Sequence, residues 1–332
     1  CARLNATPRN RLERQAPDKR WIAAMDDLAA YIEDVSGPMF VLTTVHPDKA
    51  LRDATEACEL RWQDFSSTLN QNERLYRAAR RVQPRGEAER EFVKSSLESF
   101  EDAGVGLPTA QRRQAKARQD RIAELAQQFE RNVRDQVVQL ALSEAELKGV
   151  PPSLYAAAQR DDQGRVLLTV DDSTYLPVLQ NAADAAVRER VWRADTNKGG
   201  PANLKLLAEL ARLRMDYARL FGAASYADFK LRRNMAQSAA QAERFVADVQ
   251  RAVAERERAE FDEMRAAKAQ ALGQPVGDVR LERWDAAFYA EQIRRARHAV
   301  DQEAFRAHLP PQESLLMAMR MIETMMGVRY TR

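Results

Sequence analysis

Zinc hydrolases place two histidines four residues apart on a helix, most sharply as HExxH, because positions i and i+4 share one face. This chain has three histidines, His46, His298 and His308, and none stands four from another. HExxH is therefore absent. His298 with Asp301 or Glu303 forms a partial ligand set, but these residues read more simply as exposed members of a polar connection. His46 precedes Pro47 and reads as a loop residue. No GxxxxGK[ST], GxGxxG or GxSxG occurs, and Gly104-Val105-Gly106 lacks both a third glycine and a preceding strand. Nucleophilic catalysis of the Ser/His/Asp or Cys/His type has no local signature. No catalytic, cofactor-binding or metal-ligating residue is assigned from the sequence.

The remaining clusters have plain structural readings. Asp26-Asp27 diverge on a helix, and Asp161-Asp162 and Asp171-Asp172 fall in turns. Arg112-Arg113, Arg232-Arg233 and Arg294-Arg295 are flanked by carboxylates or amides, which describes a solvated face rather than a phosphate site. The Met317, Met319, Met321, Met325, Met326 stripe reads as core or a buried interface. Cys1 and Cys58 lack CxxC spacing and are too few for a disulfide framework. Cys58 falls on the inward face of an expected helix and reads as core.

The elements that carry these residues are helices. Hydrophobic residues make up 45% and charged residues 30% of the 332 positions, with only 12 Gly and 13 Pro. That composition favours a globular, mostly α chain. Basic and acidic residues number 52 and 49, a net charge of +3. So small an imbalance, with the charges interleaved, argues against nucleic acid as a partner. No apolar run is long enough for a membrane span. The chain reads as one that begins inside a longer gene product, since Cys1-Ala2-Arg3-Leu4 looks like helix under way; a processed lipoprotein is the alternative.

Along the chain, Asp18 caps a helix over 19–35 with Trp21, Met25, Leu28 and Ile32 on one face, and Ser36-Gly37-Pro38 breaks it. A helix over about 49–69 follows, with Leu51, Ala54, Cys58 and Trp62 or Phe65 inward. Two more cover 70–82 and 88–102. A long charged helix runs from Thr109 to about Leu140, able to pair with a neighbour as a coiled-coil hairpin. Ser143 and Glu146 form a capping box for a single turn. Arg165–Val170 is the clearest strand, and Ser173 or Thr174 caps the helix after it. Leu206, Leu210, Leu213, Tyr217 and Leu220 draw one apolar stripe that Phe221-Gly222 stops, before a short helix with Tyr226 and Phe229 on one face. Ser238 and Gln241 open a helix to about 271 carrying Phe245, Val249, Val253 and Phe261. Asp285 reads as an N-cap, with Trp284 and Tyr289 at the spacing of a hydrophobic staple. Pro310-Pro311 starts the last helix, where Leu315, Leu316, Met319, Ile322 and Met326 are expected to bury a face. The expectation is an elongated multi-helix array with long antiparallel helices and at most a small β element near 164–170. It divides into an N-terminal helical region (1–142), short helices with the β element (143–200), and a helical region (201–332).

Four blocks in this order resemble the thimet oligopeptidase, neurolysin and peptidyl-dipeptidase (M3) family of zinc metallopeptidases. They are HPDKALRDATEACELRWQDF at 46–65, LARLRMDYARLFGAASYADFKLRRNMAQS at 210–238, RWDAAFYAEQIRR at 283–295 and VDQEAFRAHLPPQESLLMAMRMIETMMGVRY at 300–330. The resemblance implies a helical, two-lobed enzyme whose lobes enclose a deep channel that admits short, unstructured peptides. It further implies metal-assisted hydrolysis, in which zinc polarises a water and the peptide carbonyl. The family's HExxH, third Glu ligand and His/Tyr residues lie beyond the position matching Arg332, so none is carried onto this chain. The implied reading is the front half of such an enzyme, inactive on its own, whose partners are short peptide substrates and its own C-terminal catalytic domain. The implied compartment is the cytoplasm, with the periplasm left open. The alternative is a non-catalytic helical binding or scaffold module.

Overall fold

The computed structural model describes residues 18–298 and 308–331, together with Leu12, Arg14 and Phe305. The chain is mostly α, with one two-stranded sheet among the described residues. It divides into two compact units, each built from two separated stretches: Cys1–Gln136 with Lys198–Val249, and Val137–Asn197 with Gln250–Arg332.

In the first unit, α1 (Lys19–Val45) begins at Asp18, whose carboxylate accepts from the Arg20 N–H at 2.9 Å. The helix does not break at Ser36-Gly37-Pro38 as expected but runs through Pro38 to Val45. Its packing along α2 (Lys49–Asn70), with Met39 buried just past the proline, outweighs the lost hydrogen bond. Asp48 caps α2 through Ala50 N–H at 2.8 Å. Leu51 and Ala54 face solvent rather than the core; Thr55, Glu56 and Cys58 are buried instead. The buried Glu56 carboxylate is held by Arg131 and, at 2.6 Å, by Arg134. Helices α3 (Glu73–Ala79) and α4 (Gly86–Asp102) pack together, and Trp21, Leu28, Leu69, Leu75, Val93 and Phe100 close the main core.

Helix α5 (Thr109–Arg134) ends six residues short of the expected Leu140. The residues beyond it include β-branched Val137 and Val138, and 139–142 pair as a strand. Its partners are α2 and α8 (Gly200–Leu220), not a sequence neighbour as a hairpin would need. The corner after α8 is a full Schellman motif. Ala223 N–H donates to Ala218 O at 3.2 Å and Gly222 N–H to Arg219 O at 3.1 Å, with Gly222 at φ +71°. Helix α9 (Tyr226–Leu231) then packs Phe229 on Phe221 and Tyr217, ring centroids 4.7 and 5.4 Å away.

In the second unit, β1 (Gln139–Leu142) and β2 (Val166–Thr169) pair antiparallel, with Gln139 opposite Thr169 and Leu142 opposite Val166. Only β2 was legible, since β1 was absorbed into the preceding helix. The Ser143–Glu146 box forms as expected, with Glu146 Oε2 accepting from Ser143 N–H at 2.8 Å. The turn before α6 (Tyr175–Asn181) is held by Asp171, which accepts from the Ser173 and Thr174 N–H groups; Thr174 Oγ1 instead donates to Thr169 O at 2.6 Å. Helix α7 (Ala185–Thr196) buries Val187 and Val191 with Leu142, Val166, Leu168 and Val178. Helix α10 (Ala239–Leu272) contains the division between the two units, and Ser238 Oγ accepts the Gln241 N–H at 3.2 Å. Helix α11 (Ala286–His298) packs on α6. Helix α12 (Pro311–Met326) buries nothing: Leu315, Leu316, Ile322 and Met326, expected inside, are exposed.

Candidate functional site

The sequence candidates for chemistry are dispersed. His46 accepts the Asp48 N–H on Nδ1 at 3.1 Å, while its carbonyl takes Arg52 Nη1 at 2.8 Å, so it serves the α1–α2 turn. His298 lines a groove of about 230 Å³ with Glu260 and Glu263, but both carboxylates are committed, to Arg256 and Arg297. Asp301 and Glu303 lie outside the described residues. Among the described residues, no three of His, Cys, Asp and Glu converge as a metal cluster. Asp26 and Asp27 are exposed; Asp161 and Asp171 close turns, accepting from Arg165 and Ser173 N–H. Cys58 is buried, and Cys1 lies outside the described residues. The arginine pairs are not simply solvated. Arg112 binds Glu73, Arg232 binds Asp102, Arg233 spans Glu98, Glu101 and Asp102, and Arg294 and Arg295 share Glu291. The methionines of α12 lie on an exposed helix, not in a core.

The strongest constellation centres on Arg188, in the second unit. Asp184 caps α7 through Ala186 N–H at 2.8 Å, which sets Arg188 one turn in. Its side chain is 1% exposed and points into the core beside Val187 and Val191. Nη1 donates to the carbonyls of Ala182 and Ala183 (2.8 and 3.0 Å), Nε to Trp284 O (3.2 Å), and Nη2 to Asp285 Oδ1 (2.7 Å). The guanidinium also lies over the Phe288 ring, 4.2 Å from its centroid. Asp285, itself 0% exposed, uses Oδ2 to accept from Lys268 Nζ at 2.6 Å and from Glu282 N–H at 3.1 Å. Burial pushes its carboxyl upward, but Lys268, Arg188 and the Glu282 N–H together hold it below the ordinary carboxylate range. Next to it, Arg295 bridges Glu291 to Asn181 Oδ1 at 2.6 Å. This node fixes the start of α11 against α6 and α7. Arg188 and Asp285, sealed from solvent, serve to position backbone.

The first unit carries a polar cleft of about 250 Å³ lined by Ser66, Ser67, Asn70, Lys116, Tyr226 and Lys230, among others. Ser67 Oγ lies 3.1 Å from Asp120 Oδ1, but Asp120 also accepts from Lys116 at 2.6 Å. Burial disfavours the Lys116 charge, yet Asp120 and Asp64 outweigh it and hold the amine more basic than usual. Asp120 is thus shared between Lys116 and the serine, and the cleft's lining holds no histidine to complete a Ser/His/Asp relay. The cleft can hydrogen-bond a polar group but is not arranged for hydrolysis.

The sequence singled out Asp285 but in another role: its carboxylate serves Arg188 and Lys268, while its carbonyl accepts the Tyr289 N–H at 3.0 Å. Trp284 packs on Trp192, ring centroids 5.6 Å apart. Arg188 and Lys268 were missed. The available signal was a basic residue set within the Val187/Val191 stripe of α7.

Residues 178–332, which include the whole node, match the model of peptidase family M3. The chain is 29% identical over 325 residues to oligopeptidase A of Escherichia coli, covering 90% of this chain and 47% of that protein. It is 24% identical to a probable cytosolic oligopeptidase A of Arabidopsis thaliana, covering 95% and 48%. It is 21% identical to a thimet-like oligopeptidase of Dictyostelium discoideum, covering 93% and 48%. Residues 178–332 of this chain are thus similar to peptidase family M3, in line with the four blocks. The chain spans about half the length of the curated relatives it matches. No helix among the described residues is long and apolar enough to cross a membrane.

Proposed function

We propose that this chain supplies the helical, non-metal part of a zinc-dependent oligopeptidase that acts on short peptides in the cytoplasm. The carrying observation is that relatives named as oligopeptidases cover 90% or more of this chain while it covers only about half of them. The described residues offer zinc no ligand set. As the resemblance to the M3 family implies, the metal, which when bound supplies the polarised water, would be held by HExxH and a further Glu on polypeptide outside this chain. This chain's contribution is to build the lobe that confines substrates. The Arg188–Asp285–Lys268 node keeps α11 in place, and the α8–α9 corner keeps its own unit rigid.

The test is to read the gene past the Arg332 codon and express the longer product. An open frame carrying HExxH, with hydrolysis of a short unstructured peptide that a chelator abolishes and zinc restores, is the expected result. A stop codon directly after Arg332 would favour the non-catalytic helical module instead, and chelator-insensitive turnover would remove the metal from the reading.

A further inference from the structure

Helix α1 departs from the mixed charge of the rest of the chain. From Trp21 to its end at Val45 it carries Asp26, Asp27, Glu33 and Asp34 and no lysine or arginine. The same helix forms one wall of a groove of about 350 Å³ in the first unit, with α2 and α5 as the others. The lining is chiefly apolar: Met39, Leu60, Trp62, Ala123 and Ala126, with Phe40, 68% exposed, at its side. Two carboxylates, Glu59 and Glu130, complete the acidic part of that lining. Glu59 accepts from Gln127 Nε2 at 3.3 Å, and neither carboxylate has a basic partner among the described residues. Other carboxylates of α2 and α5 are already spent: Glu56 on Arg131 and Arg134, Asp64 and Asp120 on Lys116. Glu33, three residues before the lining residue Ser36, adds a further negative charge on that side of α1.

We infer that this groove binds a short cationic peptide, seating one aliphatic or aromatic side chain against Leu60 and Trp62 and setting flanking lysine or arginine side chains against Glu59 and Glu130. Charge selects the occupant. An anionic or neutral ligand would cover apolar surface beside two carboxylates and leave both without a counter-ion. Lys and Arg instead lay their aliphatic stems along an apolar wall and bring the charged head to the carboxylates. Walls of low polarity carrying one sign of charge also concentrate oppositely charged ligands. Size selects a peptide over a folded partner, since a hollow at the small end of ligand sites seats one or two side chains and not a broad interface. The inference deepens the oligopeptidase reading, from which it takes free peptides as the ligands, by giving the first unit a charge preference among them.

Calorimetric titration of the 332-residue chain with the blocked pentapeptide acetyl-KKFLK-amide tests it. Saturable binding that weakens with added salt is expected. Acetyl-EEFLE-amide reverses the charge and acetyl-KKSSK-amide removes the apolar pair, and each should bind at least about 10-fold more weakly. Glu59→Gln combined with Glu130→Gln should weaken acetyl-KKFLK-amide by about 10-fold, with a thermal midpoint equal to wild type showing the fold intact. If that double variant unfolds, Glu33→Gln, at an exposed position, carries the same charge test with a loss of about 2-fold. No saturation, equal affinity for the charge-reversed peptide, or an affinity unmoved by these substitutions would overturn the inference. Hydrolysis measured on the longer gene product separates the two claims. Binding of acetyl-KKFLK-amide without zinc-dependent turnover sinks the oligopeptidase reading only, and turnover without binding sinks this inference only.

Discussion

Asp285 is one carboxylate shared by two cations in a site closed to water. An ion pair so placed need not stabilise the fold relative to apolar residues of equal volume, but removing one member leaves an uncompensated buried charge. Asp285→Asn leaves Arg188 in that position and should cost about 3–5 kcal/mol at neutral pH, read from the urea midpoint. The folded-state carboxyl lies below its unfolded value. Its contribution is therefore complete above the unfolded pKa of about 3.9 and is lost as pH falls through the folded one. The stability gap between wild type and Asp285→Asn should thus be flat from pH 7 to about 5 and narrow below about 4. A gap that stays constant down to pH 3 would mean the carboxylate is not held by its cations. The sequence pointed to Asp285 through its helix-start spacing with Trp284 and Tyr289. It could not show that Arg188, 97 positions away, would claim the carboxylate, because the pairing exists only once α7 and α11 meet.

At the scale of elements, caps and stops were legible wherever the signal is local. Asp18, Asp48, Ser143 and Ser238 hold the N–H groups or turns their positions announce. Gly222 ends α8 in the left-handed region, and a Cβ added there would meet nothing within 4 Å. Gly222→Val should therefore act through backbone strain rather than a clash, lowering stability by about 1–2 kcal/mol. An unchanged thermal midpoint would show that the corner is formed another way. Pro38 is the opposite case, a local signal overridden by packing along α2. Pro38→Ala restores the missing donor in a helix interior and should stabilise the first unit by about 1–3 kcal/mol in urea unfolding. Loss of stability on that change would mean the chain needs a break at 36–38. Strand β1 was illegible because Gln139–Leu142 has no alternation of its own and is defined only by its pairing with Val166–Thr169.

For the whole molecule, likeness to a family and the placing of a site are separate findings. The four sequence blocks and the match over residues 178–332 point the same way, to a likeness to peptidase family M3. Yet among the described residues no metal cluster forms, and the buried carboxylates of Glu56 and Asp285 are paired with basic side chains. The purified 332-residue chain should leave a short unstructured peptide intact at any zinc concentration. Turnover removed by a chelator, followed by peptide mass spectrometry, would show that ligands exist where none is described. The compact units each draw on two separated stretches, 1–136 with 198–249 and 137–197 with 250–332, so neither corresponds to one continuous run of sequence.

The sequence by itself determined most helix positions, most caps, the Gly222 corner, strand β2 and the likeness to peptidase family M3. All of these depend on residues within a turn or two of each other, or on motifs in linear order. The tertiary structure alone decided that Pro38 lies inside a helix, that Arg188 and Lys268 close on Asp285, and that the apolar arc of α12 faces outward. Each of those outcomes is set by which distant element occupies the neighbouring volume, and a one-dimensional pattern of apolar and charged residues records the need for a neighbour without recording its identity.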